Sequence, residues 1–370
     1  MPDRVLVTRF RLIAAALIAV MLVVSLSSCQ TLSYYSQAVG GQIGVWRAAE
    51  PIDELLRDEE TSPALRLRLE LVSSIRSFAA DELALPDDGS YRRYADLKRP
   101  YVLWNVFAAP ELSLAPVTWC FPIAGCVGYR GYFSEDAAQR FAAGLRDKDL
   151  DVYVGGVAAY STLGWFDDAV LNTFIDYRDT ELARLIFHEL AHRVAYAPGD
   201  TTFNESFATA VELEGVRRWL EDSGRSAEMA EFELARSRHQ AFLDLVMRTR
   251  DELQAIYEAD SPDEQKRLLK VDAYTRMREA YEDLKRDWGG YSGYDRWFAA
   301  PLNNAKLASV AAYNQLVPGF QRLLARNGGD LEAFYREVNA LVKLPQEERR
   351  ARLARVDGTG QRFAAGVPSG

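Results

Sequence analysis

Histidine and cysteine are both scarce in this chain, with three residues of each among 370 positions. No second cysteine or histidine pair lies near Cys120 and Cys126, so the sequence offers no usual four-ligand structural zinc site there. Basic residues form no stripe and the formal net charge is −9, so no nucleic-acid partner is expected. Internal repeats and low-complexity blocks are absent as well.

The N-terminal segment has the features of an export signal. Three arginines precede an apolar run at residues 12–26. Two serines and then Cys29 follow this run directly. The run is short for a membrane-spanning helix, and small residues directly before a cysteine resemble a bacterial lipobox. That resemblance implies removal of residues 1–28 as a lipoprotein signal peptide and lipidation of Cys29, with a plain signal anchor as the alternative. Gln30 favours the outer membrane, so residues 29–370 are expected in the cell envelope, lipid-anchored and facing the periplasm.

The two remaining cysteines fit an exported protein. Cys120 and Cys126 are an even pair separated by five residues. In an oxidising compartment such a pair is expected to form a disulfide that closes a small loop. Two free buried thiols or a metal pair are the alternatives.

Hydrophobic patterning predicts an α+β fold with a mainly helical C-terminal half. Up to residue 180 the chain is expected to combine helices with a β-rich part, and residues 181–370 are expected to be mainly helical. Strands are predicted at residues 101–107, 117–121, 126–133 and 151–160, and helical periodicity covers 51–83, 137–145, 180–222, 226–286, 303–325 and 329–355.

Two of the three histidines share one predicted helix. Thr180 can cap this helix, and Pro198 with Gly199 ends it. Residues four apart point the same way on a helix, so His188 and His192 can bind one Zn²⁺ together. Glu189 lies beside them, where it can accept a proton from the attacking water. The alternative is a partly buried, salt-bridged helix without metal.

A catalytic zinc site needs a third protein ligand and an open fourth position. After the turn that follows His192, a second predicted helix opens with Asn204 and Glu205. Glu205 is therefore the expected third ligand, with Glu212 and Glu214 as alternatives. Glu212 lies two turns further along and could instead orient His188.

These segments resemble the gluzincin metallopeptidases, in which a histidine-glutamate-x-x-histidine helix precedes a helix with an asparagine-glutamate pair. More closely, the chain resembles a predicted bacterial aminopeptidase family of zinc lipoproteins from proteobacteria. The residues that carry the resemblance are the lipobox and positions 120–126, 129–133, 160–168, 188–192, 204–208 and 301–305. The chain lacks the glycine-x-methionine-glutamate-asparagine element of well-known gluzincin aminopeptidases, so endopeptidase action stays open.

The resemblance implies a zincin-like sheet with active-site helices and a Zn²⁺-dependent hydrolysis of peptide substrates. Glu189 would relay the proton, and another group would stabilise the developing oxyanion. Tyr160, Tyr129, Arg130 and Tyr313 are candidates; we predict Tyr160 in this catalytic role and Tyr129 and Arg130 as substrate contacts. The competing functions are a non-catalytic envelope lipoprotein with a structural metal and a partner-binding helical half, and a zinc hydrolase with a non-peptide substrate.

Overall fold

The computed structural model describes residues 34–121, 125–160, 167–311 and 316–355. The predicted signal segment, Cys29 and Gln30 lie outside these ranges, and so does Tyr313. Across the described ranges, every helix is too short or too polar to cross a bilayer.

Strands are short and are confined to the N-terminal half of the described chain. They are β1 (Ala49–Pro51), β2 (Arg93–Ala95), β3 (Leu103–Pro110), β4 (Trp119–Phe121), β5 (Gly125–Val127), β6 (Arg130–Tyr132), β7 (Leu150–Val157) and β8 (Val170–Leu171). Three sheets result, with the strand orders β1-β2-β8, β6-β3-β7 and β4-β5. The sequence predicts strands in the regions of the second and third sheets, but the single strand expected at 126–133 is two strands, β5 and β6, which belong to different sheets. It gives no signal for the first sheet, whose strands have only two or three residues.

Helices make up most of the rest, so the α+β prediction with a mainly helical C-terminal half is confirmed. They are α1 (residues 34–48), α2 (Ile52–Arg57), α3 (Pro63–Asp81), α4 (Glu135–Arg146), α5 (Asp179–Val194), α6 (Thr201–Asp222), α7 (Ser226–Glu258), α8 (Asp263–Asp287), α9 (Asp295–Ala299), α10 (Asn304–Ala311), α11 (Val317–Arg326), α12 (Leu331–Val342) and α13 (Gln346–Arg355). The helical stretch expected at 226–286 is two helices, because Pro262 separates α7 from α8.

Strand β3 is covered on both faces because its side chains alternate between two helices. Trp104, Val106 and Ala108 pack with α4, whereas Phe107 and Ala109 pack with Ala305 of α10. The antiparallel pairing of β3 with β7 runs over the full length of both strands. The central sheet is therefore held between α4 and α10, with its Phe107 face toward the C-terminal half.

The largest hydrophobic core surrounds α5 and α6. Helices α3, α11 and α12 supply the other walls of this core. Its fully buried aromatic side chains are Phe174, Phe187, Phe203, Phe207, Phe320 and Phe334. A second core lies between α7, α8, α9 and α10. Helices α5 and α6 are thus fixed by packing on several sides, which gives residues on their shared face a defined geometry.

Asn304 connects the sheet to the second core. Its buried side chain accepts hydrogen bonds from the hydroxyls of Tyr257 (2.9 Å) and Tyr274 (2.8 Å). The same amide donates to three backbone carbonyls after β3, and the backbone N–H of Asn304 donates to Asp151 at 2.9 Å. This network fixes α10 against the central sheet.

Candidate metal centre

Helix α5 presents two imidazoles on the face opposite its apolar packing. Leu182, Ile186 and Phe187 are fully buried in the core. His188 and His192, four residues apart, project together with ring centroids 4.8 Å apart. Thr180 does not cap this helix: Arg178 occupies the cap position and makes no side-chain cap bond.

The turn between α5 and α6 is closed by two polar side chains. Asp200 caps α6 by accepting the backbone N–H of Phe203 at 3.3 Å. Asn204, which is buried, accepts the N–H of Ala197 at 2.7 Å and donates to the carbonyl of the same residue at 2.9 Å. Because both backbone groups of Ala197 are satisfied in this way, the chain reverses tightly and α6 returns along α5 with Glu205 facing the histidines.

Close approach of α5 and α6 depends on small residues of α6. Ala208 is fully buried, one turn beyond Glu205. A Cβ atom at Gly215 would lie 2.8 Å from the ring of Phe187 and 2.8 Å from Leu83, which is closer than packed carbon atoms approach. The two helices can therefore lie near enough for side chains from both to meet at one point.

Three donor atoms converge between these helices. Nε2 of His188 lies 3.2 Å from Nε2 of His192 and 3.2 Å from Oε2 of Glu205, and Nε2 of His192 lies 3.6 Å from the same oxygen. Donors about 2.0–2.1 Å from a tetrahedral Zn²⁺ are separated by roughly 3.3 Å. The observed triangle matches one face of such a tetrahedron, so His188, His192 and Glu205 could hold a metal ion.

Glu212 orients His188 instead of joining this triangle. Its Oε2 lies 2.7 Å from Nδ1 of His188, and its Oε1 lies 3.6 Å from Arg184. Burial by itself lowers the pKa of His188, but Glu205 and Glu212 raise that pKa well above its usual value. Burial by itself raises the pKa of Glu205, but His188 and His192 outweigh this effect and hold the pKa of Glu205 well below its usual value. Two buried carboxylates therefore favour a positive charge at the centre of the site.

Glu189 is near the triad but outside it. Its Oε2 is buried and has no hydrogen-bond partner among the described residues. Burial raises the pKa of Glu189, while His188 and His192 act in the opposite direction. A carboxylate oxygen without a hydrogen-bond partner, next to the candidate ligands His188 and His192, is available to accept a proton.

Three tyrosines interact electrostatically with the carboxylates of the site. Tyr129 interacts electrostatically with Glu205 and Glu189, and Tyr196 interacts with Glu205. Tyr91 is 2% exposed and lies close enough to Glu189 to interact with it. Burial, reinforced by these carboxylates, raises the pKa of each tyrosine, so the hydroxyls stay protonated and can donate hydrogen bonds.

Neither Tyr91 nor Tyr196 is predicted as a site residue from the sequence. Tyr196 follows the last residue of α5 by two positions, which was an available signal. Tyr91 had no such signal, because it comes from a loop distant in sequence and has a positive φ of 58°.

Tyr160 and Arg130 lie elsewhere. The hydroxyl of Tyr160 donates to Gln42 in α1, and its ring packs edge-on against Phe133. The guanidinium carbon of Arg130 lies 4.0 Å from the ring centroid of Tyr34 and 4.6 Å from that of Phe141. No contact of the described residues joins either side chain to the triad. Successive residues of an extended chain point to opposite sides, so Arg130 turns toward α4 when Tyr129 faces Glu205.

A disulfide-closed hairpin braces the turn between α5 and α6. Cys120 and Cys126 are directly opposite in the β4–β5 pair and form a disulfide. Gly125, with a φ of +73°, lies so close to Gly199 that an added Cβ would be 2.8 Å from its backbone nitrogen. The hairpin thus contacts the turn that sets the position of Glu205, and it leads directly into Tyr129.

A buried ion pair fixes the N-terminus of α6 to α13. Arg349 lies 2.5 Å from Asp200, and their side chains are 7% and 2% exposed. We expect Arg349→Met to lower the free energy of unfolding by about 3 kcal/mol, because it leaves a buried carboxylate with a weaker partner. Arg352→Met is the matched control, since the Arg352–Glu348 pair on the same helix is solvent-exposed and contributes at most about 1 kcal/mol. Urea denaturation of both variants checks this prediction, and equal effects would contradict it.

Comparison with known proteins indicates a family for this chain. A family model described as "Putative aminopeptidase" matches residues 33–353, which is most of the chain and includes the whole site. No curated protein and no solved structure matches the chain.

Proposed function

This chain belongs to the family described as "Putative aminopeptidase", and on that premise we propose that it is a zinc-dependent peptidase of the gluzincin type. One observation carries the proposal: two imidazoles and one carboxylate converge within 4.8 Å of one another, with the unpaired carboxylate of Glu189 beside them. A salt-bridged helix pair would give Glu189 no chemical role, whereas a hydrolase requires a base at this place.

The donor set is the main support for zinc as the metal. Two histidines and one glutamate are a known ligand set of catalytic zinc sites, in which the fourth position stays open. His188, His192 and Glu205 would hold the ion, and Glu212 would keep the His188 ring oriented through its 2.7 Å contact. When bound, Zn²⁺ makes water more acidic and polarises the carbonyl group of the scissile bond.

Glu189 would act as the proton carrier. Its buried Oε2 accepts the proton of the attacking water and then donates it to the leaving amine. Burial raises the pKa of this carboxyl group. A raised pKa suits a group that must both take and release a proton near neutral pH.

Tyr129 would stabilise the oxyanion in place of Tyr160. Tyr129 interacts electrostatically with Glu205 and Glu189, and burial raises the pKa of its hydroxyl, so the hydroxyl can donate a hydrogen bond to negative charge that develops on the substrate. Its ring is supported by Phe107, with centroids 5.6 Å apart. A supported donor needs little reorganisation during the reaction.

Aminopeptidase action is the form of the proposal that the family description supports. We also propose that a lipid on Cys29 anchors the protein to the outer membrane, with its body facing the periplasm. Its substrates would then be peptides of the cell envelope.

Metal removal tests the proposed function. We expect the purified protein to contain close to one zinc ion per chain and to hydrolyse a peptide library. A strong chelator should abolish hydrolysis, and added Zn²⁺ should restore it, because the triad is the site that holds the ion. Elemental analysis and mass spectrometry of the digests provide the readouts. Zinc without hydrolysis would instead support a structural metal in a non-catalytic lipoprotein.

A further inference from the structure

A cleft of about 170 Å³ opens at the start of α6, the helix that carries Glu205. The residues that line it include Phe107 of β3, Tyr129 before β6, Thr201 and Thr202 at the start of α6, Ala308 of α10 and Gln346 of α13, which are five separate parts of the chain. The mechanism proposed above uses only Tyr129 among these residues.

The cleft is connected to the site through α6 and Tyr129. Thr201 and Thr202 precede Glu205 by four and three residues, so all three lie on the same face of the helix within about one 5.4 Å turn. Tyr129 lines the cleft and also interacts with Glu205 and Glu189. Tyr129 and the first turn of α6 therefore connect the cleft to the triad.

The walls of the cleft suit a large apolar group. The rings of Phe107 and Tyr129 pack together on one side, with Ala308 beside them. A cavity of roughly 150 Å³ can hold benzene, so a space of this size accommodates an aromatic or long aliphatic side chain. The side chain of Ala308 is a methyl group, so it occupies little of the cleft.

The charged residues at the edge of the cleft are two arginines and one aspartate. Asp200 forms its buried ion pair with Arg349, and Arg350 lies 3.3 Å from the other carboxylate oxygen of Asp200. The remaining polar lining consists of threonine hydroxyls and a glutamine amide, which carry no charge. A basic substrate side chain would lose hydration here beside two guanidinium groups, and an acidic one would have to compete with Asp200 for Arg350.

We propose that this cleft is the specificity pocket of the enzyme and binds a large uncharged side chain, aromatic or aliphatic, of the residue next to the scissile bond. The proposal rests on the proposed function, because it uses the triad to place the peptide. Ala308 is the position that limits the size of the side chain bound.

Ala308→Phe tests the pocket by filling it. We expect the ratio of kcat/KM for phenylalanine-containing over alanine-containing peptides to fall by roughly 10- to 100-fold in this variant, as expected when apolar contacts are lost. Ala308→Leu should give a smaller change in the same direction. Ala143→Phe is the matched control, because Ala143 is exposed on α4 and outside the cleft, and it should leave the ratio unchanged. Zinc content and thermal unfolding verify that each variant is folded.

A separate binding measurement distinguishes an error in the pocket proposal from an error in the proposed peptidase function. Calorimetry measures the affinity of the same two peptides for zinc-loaded Glu189→Gln protein, with and without Ala308→Phe. If the wild type hydrolyses nothing but the binding preference is lost on filling the cleft, the pocket stands and the peptidase proposal fails. If folded Ala308→Phe keeps the wild-type preference in both hydrolysis and binding, the pocket is overturned.

Discussion

Replacing Glu189 with glutamine is expected to reduce kcat for peptide hydrolysis by about 10²- to 10⁴-fold, the range that one general acid–base group contributes. Glutamine keeps the size of the side chain but cannot accept the proton. Oε2 of Glu189 has no hydrogen-bond partner among the described residues, so the substitution breaks no bond recorded for that oxygen. The folded structure and the zinc content should stay close to those of the wild type.

Steady-state kinetics and elemental analysis on the same preparation check this expectation. Glu181→Gln is the matched control, since Glu181 lies on the same helix, outside the triad, and its ion pair among the described residues is with Arg184 at 3.4 Å. The control should keep wild-type activity. If Glu189→Gln retained full activity with zinc bound, the proton-carrier role would be wrong, although the metal site could stand.

Replacing Glu205 with glutamine is expected to weaken Zn²⁺ affinity by at least roughly a thousandfold and to remove activity at limiting zinc. The amide removes the negative charge that faces both histidines at 3.2 and 3.6 Å. Loss of a charged ligand should exceed the roughly 10- to 100-fold effect typical of residues that only orient a ligand.

Glu212→Gln provides the comparison within the same helix. Glu212 contacts Nδ1 of His188 and not the point where the three donor atoms meet, so its substitution should weaken zinc binding only by about 10- to 100-fold. Competition titration against a chromogenic chelator measures both affinities. Equal losses in the two variants would contradict the assignment of Glu205 as ligand and Glu212 as orienting residue.

The metal-site residues could be proposed from the sequence because their geometry is mostly local. Four-residue spacing on a helix is enough to place His188 and His192 on one face. The turn after α5 and the Asn204–Glu205 pair indicated the third donor, even though the hydrogen bonds of Asn204 to Ala197 were not foreseeable. Those bonds depend on how the chain reverses, which no periodicity encodes.

Residues outside the two helices were harder to assign. Tyr129 and Arg130 are neighbours in sequence, yet Tyr129 interacts electrostatically with Glu205 and Glu189, whereas Arg130 stacks on Tyr34. Strand alternation guarantees that adjacent residues diverge, but the sequence does not say which of the two faces the site. The contact of Tyr160 with Gln42 was not foreseeable for a similar reason, since it joins positions 118 residues apart.

The sequence by itself determined the α+β class, the helical C-terminal half and the paired histidines with their adjacent carboxylate, because helical periodicity and i,i+4 spacing are properties of short segments. Tertiary structure alone decided which tyrosines surround the site, the orienting contact of Glu212 with His188, and the cleft between Tyr129, α6 and α10. These features arise where segments distant in sequence pack together. Their geometry depends on the whole core and not on any one segment.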